Sequence, residues 1–359
     1  MSMLKPILHL ARTASLIALL TACTTATSLA GNDSKTDFAN NPKAIEMAES
    51  LYAEHGIAVQ DTLNLLHQAQ FQPSVVKAVL PPVNPTVKNW DVYRSRFVEP
   101  YRIKKGFEFW QKNADVLKMA EEKYGVPQSV IVAIIGIETI YGRHTGNYRV
   151  IDALSTLAFA YPEGQRDRSD FFKAELAKFL VLCKQSNLDA TEVKGSYAGA
   201  IGLGQFMPSS WLNYAVDGNG DSKIDLFHTQ SDAIFSVANF LKVHGWQPGA
   251  ATLVPVTIRP HADLQTLLKP DIQPTFTGEQ MNQLGLTLEQ PVQPDEKLAL
   301  VELVRGEKQP SYVVGGQNFY TVTRYNRSAF YATSVLELAQ AIALHRRLEL
   351  NRLKTPVKQ

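Results

Sequence analysis

Between Val130 and Ile137 eight consecutive residues, Val-Ile-Val-Ala-Ile-Ile-Gly-Ile, carry no polar side chain, and the next residue is Glu138. Following the helix-start signal Gly125-Val126-Pro127, the run reads as a helix rather than a strand. A helix that is apolar on every side has to be enclosed by other elements, so the chain must fold around this one. Its last turn then delivers a carboxylate to a place poor in water. Lost hydration disfavours the charged form and raises the pKa, so Glu138 can keep its proton near neutral pH and donate it to a leaving group. The competing reading is a structural glutamate paired with Arg143 or Arg149, because ion pairs also bury carboxylates. Position alone leaves both open.

The 359 residues supply the material for such an enclosure, with 45% hydrophobic against 19% charged side chains, and their length predicts two or three domains. Thirty-six Lys plus Arg nearly balance thirty-four Asp plus Glu. That balance excludes the electrostatic footprint of a nucleic-acid binder and suits an uncharged or mixed-charge polymer.

At the N-terminus Lys5 and Arg12 precede an apolar stretch, Ala14 to Leu20, that is laid out as a secretory signal and is too short to span a bilayer. Leu20-Thr21-Ala22-Cys23 resembles the lipobox cut before cysteine in bacterial lipoproteins, and Thr24 in place of Asp resembles the sorting rule for the outer membrane. Residues 1–22 are thus predicted to be a signal peptide, Cys23 a lipidation site, and 23–41, rich in Thr, Ser, Asn and Asp, a flexible tether. The alternative is an ordinary signal peptide with an incidental cysteine. Cys183 is the other of the two cysteines, so no internal disulfide is expected after cleavage and acylation. Its helical spacing with Phe172, Leu176, Phe179 and Leu180 makes it a buried core thiol rather than a nucleophile.

From Pro42 to about Leu80 the pattern is helical, through Leu51, Ile57, Val59, Leu63 and Leu66, and it stops at Pro81-Pro82. Helical signals run from about Asn89 to Trp246, where Met207-Pro208-Ser209 opens a further helix. Between Gly249 and Gln317 the texture turns to prolines and to the alternating Leu298–Val304, which reads as a small β-containing insert. Phe319 to Asn326 then leads, through a strand-to-helix junction, into an amphipathic helix carrying Leu336, Leu338, Ile342 and Leu344. The expected fold is mainly α (α+β), with an accessory helical region over 42–110, a main helical core over 111–248, the insert over 249–317 and a return to the core over 318–359.

Three blocks carry chemistry. Glu138-Thr139-Ile140-Tyr141-Gly142 is the first, and Gly195-Ser-Tyr-Ala-Gly-Ala-Ile-Gly-Leu-Gly-Gln205-Phe-Met-Pro-Ser-Ser210 the second. Glycines there let backbone approach a flat ring, while Ser196 and Gln205 offer hydrogen bonds. A nucleotide loop does not fit, since neither the Rossmann glycine order nor a Walker lysine is present. Phe319-Tyr-Thr-Val-Thr-Arg-Tyr325-Asn326 is the third; taken by itself, its Tyr-Asn pair would be capping and packing. Tyr93, within Asp91–Phe97, would by itself be a core tyrosine.

Together, and in this order from about Asn89 to Arg347, these blocks and Ser236-Val-Ala-Asn-Phe240 resemble the membrane-bound lytic transglycosylase B group of lysozyme-like enzymes. The resemblance implies a lysozyme-like helical core, with the 42–110 region lining the cleft, and Glu138 as the single acid and base. It implies that Ser196 and Asn326 orient the substrate's acetamido group, and that Tyr93, Gln205 and Tyr325 hold sugar rings. Phe240 departs from the tyrosine frequent in the family, which removes a hydroxyl but keeps an aromatic wall.

Asp217-Gly-Asn219-Gly-Asp221-Ser222-Lys223-Ile-Asp225 resembles the start of an EF-hand, with oxygen ligands at alternate positions. Ser222 stands at the usual glycine and His228 at the usual bidentate glutamate, a gap that the resemblance implies Asp232 would fill, as a downstream aspartate does in relatives. The expected ligands of a weakly held structural calcium ion are Asp217, Asn219, Asp221, Lys223 through its carbonyl, and Asp232. A polar Asp/Asn/Gly turn without metal is the alternative.

Glycosidases ordinarily use two carboxylates, whereas the residues matched to the cleft include only one. The resemblance therefore implies cleavage of the MurNAc-GlcNAc β-1,4 bond of peptidoglycan with closure of a 1,6-anhydro ring, without a cofactor. The rivals are a hydrolytic muramidase of the same fold and a non-catalytic murein-binding lipoprotein. The implied setting is the periplasmic face of the outer membrane of a Gram-negative cell, as a monomer held by acylated Cys23.

Overall fold

The computed structural model describes residues 37–80, 88–163 and 166–354. The apolar run forms the helix Gln128–Thr139, with Pro127 at its N-cap, and every residue from Val130 to Ile137 is buried. Four helices enclose it: Pro100–Lys112, Ala114–Tyr124, Gln230–Val243 and Ala329–Lys354. Pro100–Lys112 is two-faced, with Gly106, Phe109 and Trp110 turned inward while Lys104 and Glu108 stay in water, whereas Gln230–Val243 is buried without a break over residues 232–238. A fully buried Ile or Val contributes roughly 1.5–3 kcal/mol by leaving water, so this central helix is the main anchor of the core.

Helices Pro42–His55, Val59–Gln68 and Pro73–Val79 pack on the far side of the body, against Val150–Phe159 and Ser169–Ser186. The amides of Gln70 and Gln72 donate to Asp152 and to the Thr156 hydroxyl at 2.9 and 3.0 Å, and Lys184 donates to the Gly56 carbonyl at 2.8 Å. From the 42–110 region, the wall of the cavity beside Tyr93 takes residues of the 88–96 stretch. The expected boundary at 110 falls inside the continuous helix Pro100–Lys112. The tether expected to reach residue 41 is shorter: Asp37 caps the short helix Phe38–Asn40, and buried Phe38 lies 6.0 Å from the Phe159 ring. Residues 1–22, expected to be a signal peptide, and Cys23 and Pro81-Pro82 fall outside the described residues. Cys183 is buried, which pushes its thiol up to about 12.

The insert has its own small core of Val254, Leu267, Met281, Leu286, Leu298, Leu300 and Val314. Strand Lys308–Gly315 is central in an antiparallel sheet between Leu253–Val254 and Ala299–Arg305, with Leu300 opposite Val314 and Glu302 opposite Tyr312. Strand Ala299–Arg305 serves two cores, since Leu300 enters the small one while Val301 and Leu303 enter the main one. The hairpin turns at Gly306, φ +69°, a region that glycine enters without steric cost. Its amide donates to the Lys88 carbonyl, and Arg305 grips Asp91 with two nitrogens at about 3.0 Å, so the hairpin holds the start of helix Trp90–Phe97.

One local expectation fails. Residues 319–325 are not an extended lead-in but part of a helix, Gln317–Tyr325, which ends at Asn326. The β-branched Thr321, Val322 and Thr323 suggest a strand, yet the Thr321 and Thr323 hydroxyls bond back to the carbonyls of Gln317 and Tyr320, a pattern that helices accommodate.

Candidate active site

Glu138 sits in the last turn of the central helix with its side chain half-buried. Desolvation pushes its pKa up to about 7, opposed by one hydrogen bond that the Tyr331 hydroxyl donates to Oε1 at 2.5 Å. No second carboxylate figures among the groups that perturb it. Neither proposed ion-pair partner reaches it: Arg149 pairs with Asp152 at 3.5 Å, and Arg143 meets the Tyr101 hydroxyl. Neither arginine named for a structural pair is its partner, and desolvation favours the protonated carboxyl near neutral pH.

The turn after Glu138 explains why the motif has its residue types. Ile140 and Tyr141 both adopt left-handed backbone, φ 50° and 58°, which costs energy for side chains of their size and needs fixing from outside. Thr139 fixes one side. Its buried hydroxyl donates to the Leu203 carbonyl at 2.8 Å and accepts from the Gly142 amide at 2.9 Å, joining the glutamate turn to the glycine-rich loop. Tyr141 fixes the other, stacking on Phe109 and donating to the Arg102 carbonyl at 3.0 Å. A Cβ at Gly106 or Gly136 would collide with the Tyr141 hydroxyl, so these glycines form its slot. Buried Arg102 completes the clamp by donating to the carbonyls of Gly136 at 3.0 Å and Arg96 at 2.6 Å, tying the Glu138 helix to the end of the Tyr93 helix.

Tyr325 and Tyr331 are stacked with ring centroids 6.5 Å apart. Burial, and then the nearby Glu138 charge, raise both phenols well above their usual pKa. The same two causes raise Tyr93, whose ring lies against Phe97 and Phe330 at 4.9 and 5.4 Å. Glu138, Tyr93, Tyr325 and Tyr331 therefore share one site. Tyr325 also donates to the Gly204 carbonyl at 2.5 Å, and Phe240, almost wholly buried, backs it at 4.8 Å.

Gln205, at φ 51°, joins through the loop: its side-chain nitrogen donates to the carbonyls of Thr145 and Gly202, each at 3.1 Å, which leaves its oxygen to accept. The Ser196 oxygen accepts the amides of Ala198 and Ala200 at 3.3 and 3.0 Å, so its proton is free to be donated outward. Asn326 is exposed directly after Tyr325. Ser196 and Asn326 make no hydrogen bond to Glu138.

Sequence reasoning missed Tyr331 and Arg102. Tyr331 looks like one more core aromatic of an amphipathic helix. The available signal was that a buried tyrosine hydroxyl needs a partner, six residues after Tyr325. Arg102 lies among ordinary charged helix positions, and nothing in its spacing sets it apart.

In the Asp217 loop, Asp217 accepts the amides of Gly220 and Ser222, both at 2.7 Å, and Asp221 accepts that of Lys223 at 2.9 Å. Asp232 clasps the loop's ends by accepting from Gly218 and Asp225 at 2.9 and 2.8 Å. Burial raises the Asp232 pKa, and the charges of Asp217 and Asp221 add to that. Among the described residues no three His, Cys, Asp or Glu side chains are drawn together as a closed metal cage. The fit to a cation is that of an open loop: three carboxylates that repel one another, and a Lys223 carbonyl that accepts no hydrogen bond.

Residues 40–340 match the transglycosylase SLT domain family. Membrane-bound lytic murein transglycosylase B of Escherichia coli strain K12 is 40% identical over 320 residues, 86% of this chain and 85% of the relative. The crystal structure of soluble lytic transglycosylase SltB1 from Pseudomonas aeruginosa matches 85% of this chain and 99% of its own, at 40% identity and a TM-score of 0.77. The Escherichia coli lytic transglycosylase Slt35, solved in complex with calcium, matches 87% and 96% of the two chains at 39% identity and a TM-score of 0.75. By its lysozyme-like core and by these matches, the chain belongs to the SLT-domain family of lytic murein transglycosylases.

Proposed function

We propose that this murein-cleaving enzyme leaves 1,6-anhydro-N-acetylmuramic acid ends, and that Glu138 performs both proton transfers. The observation that carries this is a carboxyl with its pKa near 7, one tyrosine partner and no second carboxylate among its perturbing groups. Glu138 gives its proton to the glycosidic oxygen as the bond to C1 breaks, and the substrate's acetamido oxygen closes onto C1. The carboxylate then takes the C6 hydroxyl proton, the C6 oxygen bonds to C1, and the acetamido group is released. No water is consumed. Proximity favours this internal attack over water, which would need a second group to activate it on the far face of the sugar.

Ser196, with its proton directed outward, and Asn326 orient the acetamido group, while Tyr93, Gln205 and Tyr325 hold the rings. Tyr331 keeps Glu138 in place. The Asp217 loop holds a structural calcium ion through Asp217, Asn219, Asp221, Lys223 and Asp232; the calcium complex of the Escherichia coli relative supports this. No described helix is long and apolar enough to cross a membrane, and the matched Escherichia coli relative is membrane-bound. Acylation of Cys23 would anchor this chain, as a monomer, to the periplasmic face of the outer membrane. Mass spectrometry of fragments released from purified sacculi tests the reaction: anhydro ends are one water lighter than hydrolytic ends and resist borohydride. Mainly reducible fragments would leave a hydrolytic muramidase.

A further inference from the structure

Arg102, in the first turn of helix Pro100–Lys112, is only 6% exposed, and the proton transfers described above give it no part. Taking such a charge out of water is costly unless it is paired and hydrogen-bonded. Its guanidinium donates to three backbone carbonyls, those of Gly136 at 3.0 Å, Arg96 at 2.6 Å and Phe97 at 3.3 Å, with the Glu99 carboxylate at 3.7 Å as counter-charge. Two of these carbonyls need such a donor. Four residues beyond Arg96 stands Pro100, which has no N–H, and four beyond Phe97 the Tyr101 amide is taken by Glu99. The Gly136 carbonyl needs none, since it already accepts the Ile140 amide at 3.1 Å. Capping therefore accounts for two of the three bonds. The third joins the end of helix Trp90–Phe97 to the central helix two residues before Glu138. Helix Trp90–Phe97 carries Tyr93, whose ring packs on Phe97 at 4.9 Å, and the Arg102 guanidinium lies 5.3 Å from the centre of that same Phe97 ring. One rigid planar group thus touches the backbone beneath the acid and both the backbone and the ring beneath Tyr93. Arg102 is not among the groups that perturb Glu138, so its influence is on place and not on proton affinity.

We propose that Arg102 is a positioning residue that sets the separation of Tyr93 from Glu138, and so aligns the glycosidic oxygen with the proton it receives. The inference rests on the ring-holding role given to Tyr93 above. Helix Trp90–Phe97 is pinned near its start by Arg305 on Asp91 and in its middle by Arg94 paired with Glu337. Without Arg102 its last turn loses the tie to the Glu138 helix. A sugar ring held by Tyr93 then shifts against the acid, while each wall of the site still binds its own ring. Turnover therefore suffers more than binding.

The test measures kcat and KM of the full chain on a soluble murein glycan oligomer, at a temperature well below the melting point of every variant. Arg102→Lys keeps the charge but replaces the fork with a single ammonium that cannot span both helices, and Arg102→Gln removes the charge as well. Both should lower kcat, the glutamine variant by up to about 10², with KM changed by less than about threefold. The alkaline limb of the pH–rate profile should stay in place. Should Arg102→Gln fail to fold, the lysine variant carries the test. In a Tyr93→Ala background the same replacement should cost less than about twofold more, because residues that act through one contact do not lose it twice. Unchanged kcat in folded Arg102→Lys would reduce the residue to a cap, and a shifted alkaline limb would make it an electrostatic partner of Glu138. A full further loss in the Tyr93→Ala background would show that it acts elsewhere. Each of these outcomes overturns the proposal. A Tyr93→Ala enzyme as fast as the unsubstituted one would instead remove Tyr93 from the glycan site, and the role of Arg102 with it, while the Glu138 reaction stands.

Discussion

Glu138 and Asp217 are carboxylates of one chain in opposite surroundings. Around Glu138 the protein removes water and returns a single hydrogen bond, and the pKa is pushed up to about 7. Burial pushes Asp217 up too, but backbone amides of Ser222, Gly220, Asp221 and Asn219 outweigh it and hold the group below its usual value. One site keeps a proton that it can give away. The other keeps a charge that it can offer to a cation. The difference lies in how many N–H donors each backbone presents: a helix end has spent its amides, whereas a tight Asx-type loop aims several of its own at one side chain.

The largest expected effect, and the most direct way to break this contrast, is Glu138→Gln. Turnover on sacculi should fall by about 10²–10⁴, the usual worth of a positioned general acid. Stability should move the other way. Because the folded pKa lies above the unfolded one, the native state binds the proton more tightly, so that wild-type stability falls as pH rises from about 4.5 to about 7 and stays lower beyond. Glutamine is neutral throughout, so the variant should melt at about the wild-type temperature at pH 4 and be more stable above pH 7 by something on the order of 1–3 kcal/mol. More than about a tenth of the wild-type rate would remove Glu138 from the reaction, and a pH-independent stability difference would show that its carboxyl is not desolvated.

Tyr331→Phe sharpens the same side. Removing the one bond that favours the charged form should move the alkaline limb of the pH–rate profile upward, with a loss of about tenfold in kcat from a less well-held acid. A limb moving down, or not moving, would mean that Tyr331 does not bond the carboxylate. Thr139→Val is smaller in activity but clear in stability. It leaves the Leu203 carbonyl and the Gly142 amide without their partner, for a loss of about 1–3 kcal/mol in denaturant unfolding.

How much of this could be read from the sequence follows the range of the forces involved. The central helix was legible because an uninterrupted apolar run has few places to go, and Glu138 was legible because it ends that run. The insert was legible from its prolines and its alternation. The helix Gln317–Tyr325 was not, because its β-branched residues carry a local preference that packing against His244 and the main core overrides. Tyr331 and Arg102 were illegible for another reason. Their partners, Glu138 and the Gly136 carbonyl, lie 193 and 34 residues away, and no periodicity reports a contact of that kind. The motif residues Thr139 and Tyr141 were visible as a pattern, but their task of holding two left-handed residues in place appears only with the backbone.

The smallest expected effect tests the other half of the comparison. If the Asp217 loop keeps its charge in order to hold a cation, adding calcium must relieve the mutual repulsion that Asp217, Asp221 and Asp232 exert in its absence. The loop offers fewer carboxylates than a complete EF-hand and is open to solvent, which places its affinity near the weak end, about 10⁻⁴–10⁻³ M. At 5 mM calcium the linkage then amounts to about 1–2 kcal/mol, and the melting temperature should rise by a few degrees. Asp221→Ala removes one ligand and one of the repelling charges. The variant should therefore lose the calcium response while still cutting sacculi, because the loop carries no group of the active site. Magnesium at the same concentration should do less, since it demands a tighter octahedral cage than this loop can close. An unchanged melting temperature at 5 mM calcium would reduce the loop to a polar turn, and the contrast with Glu138 would then be one of backbone geometry alone.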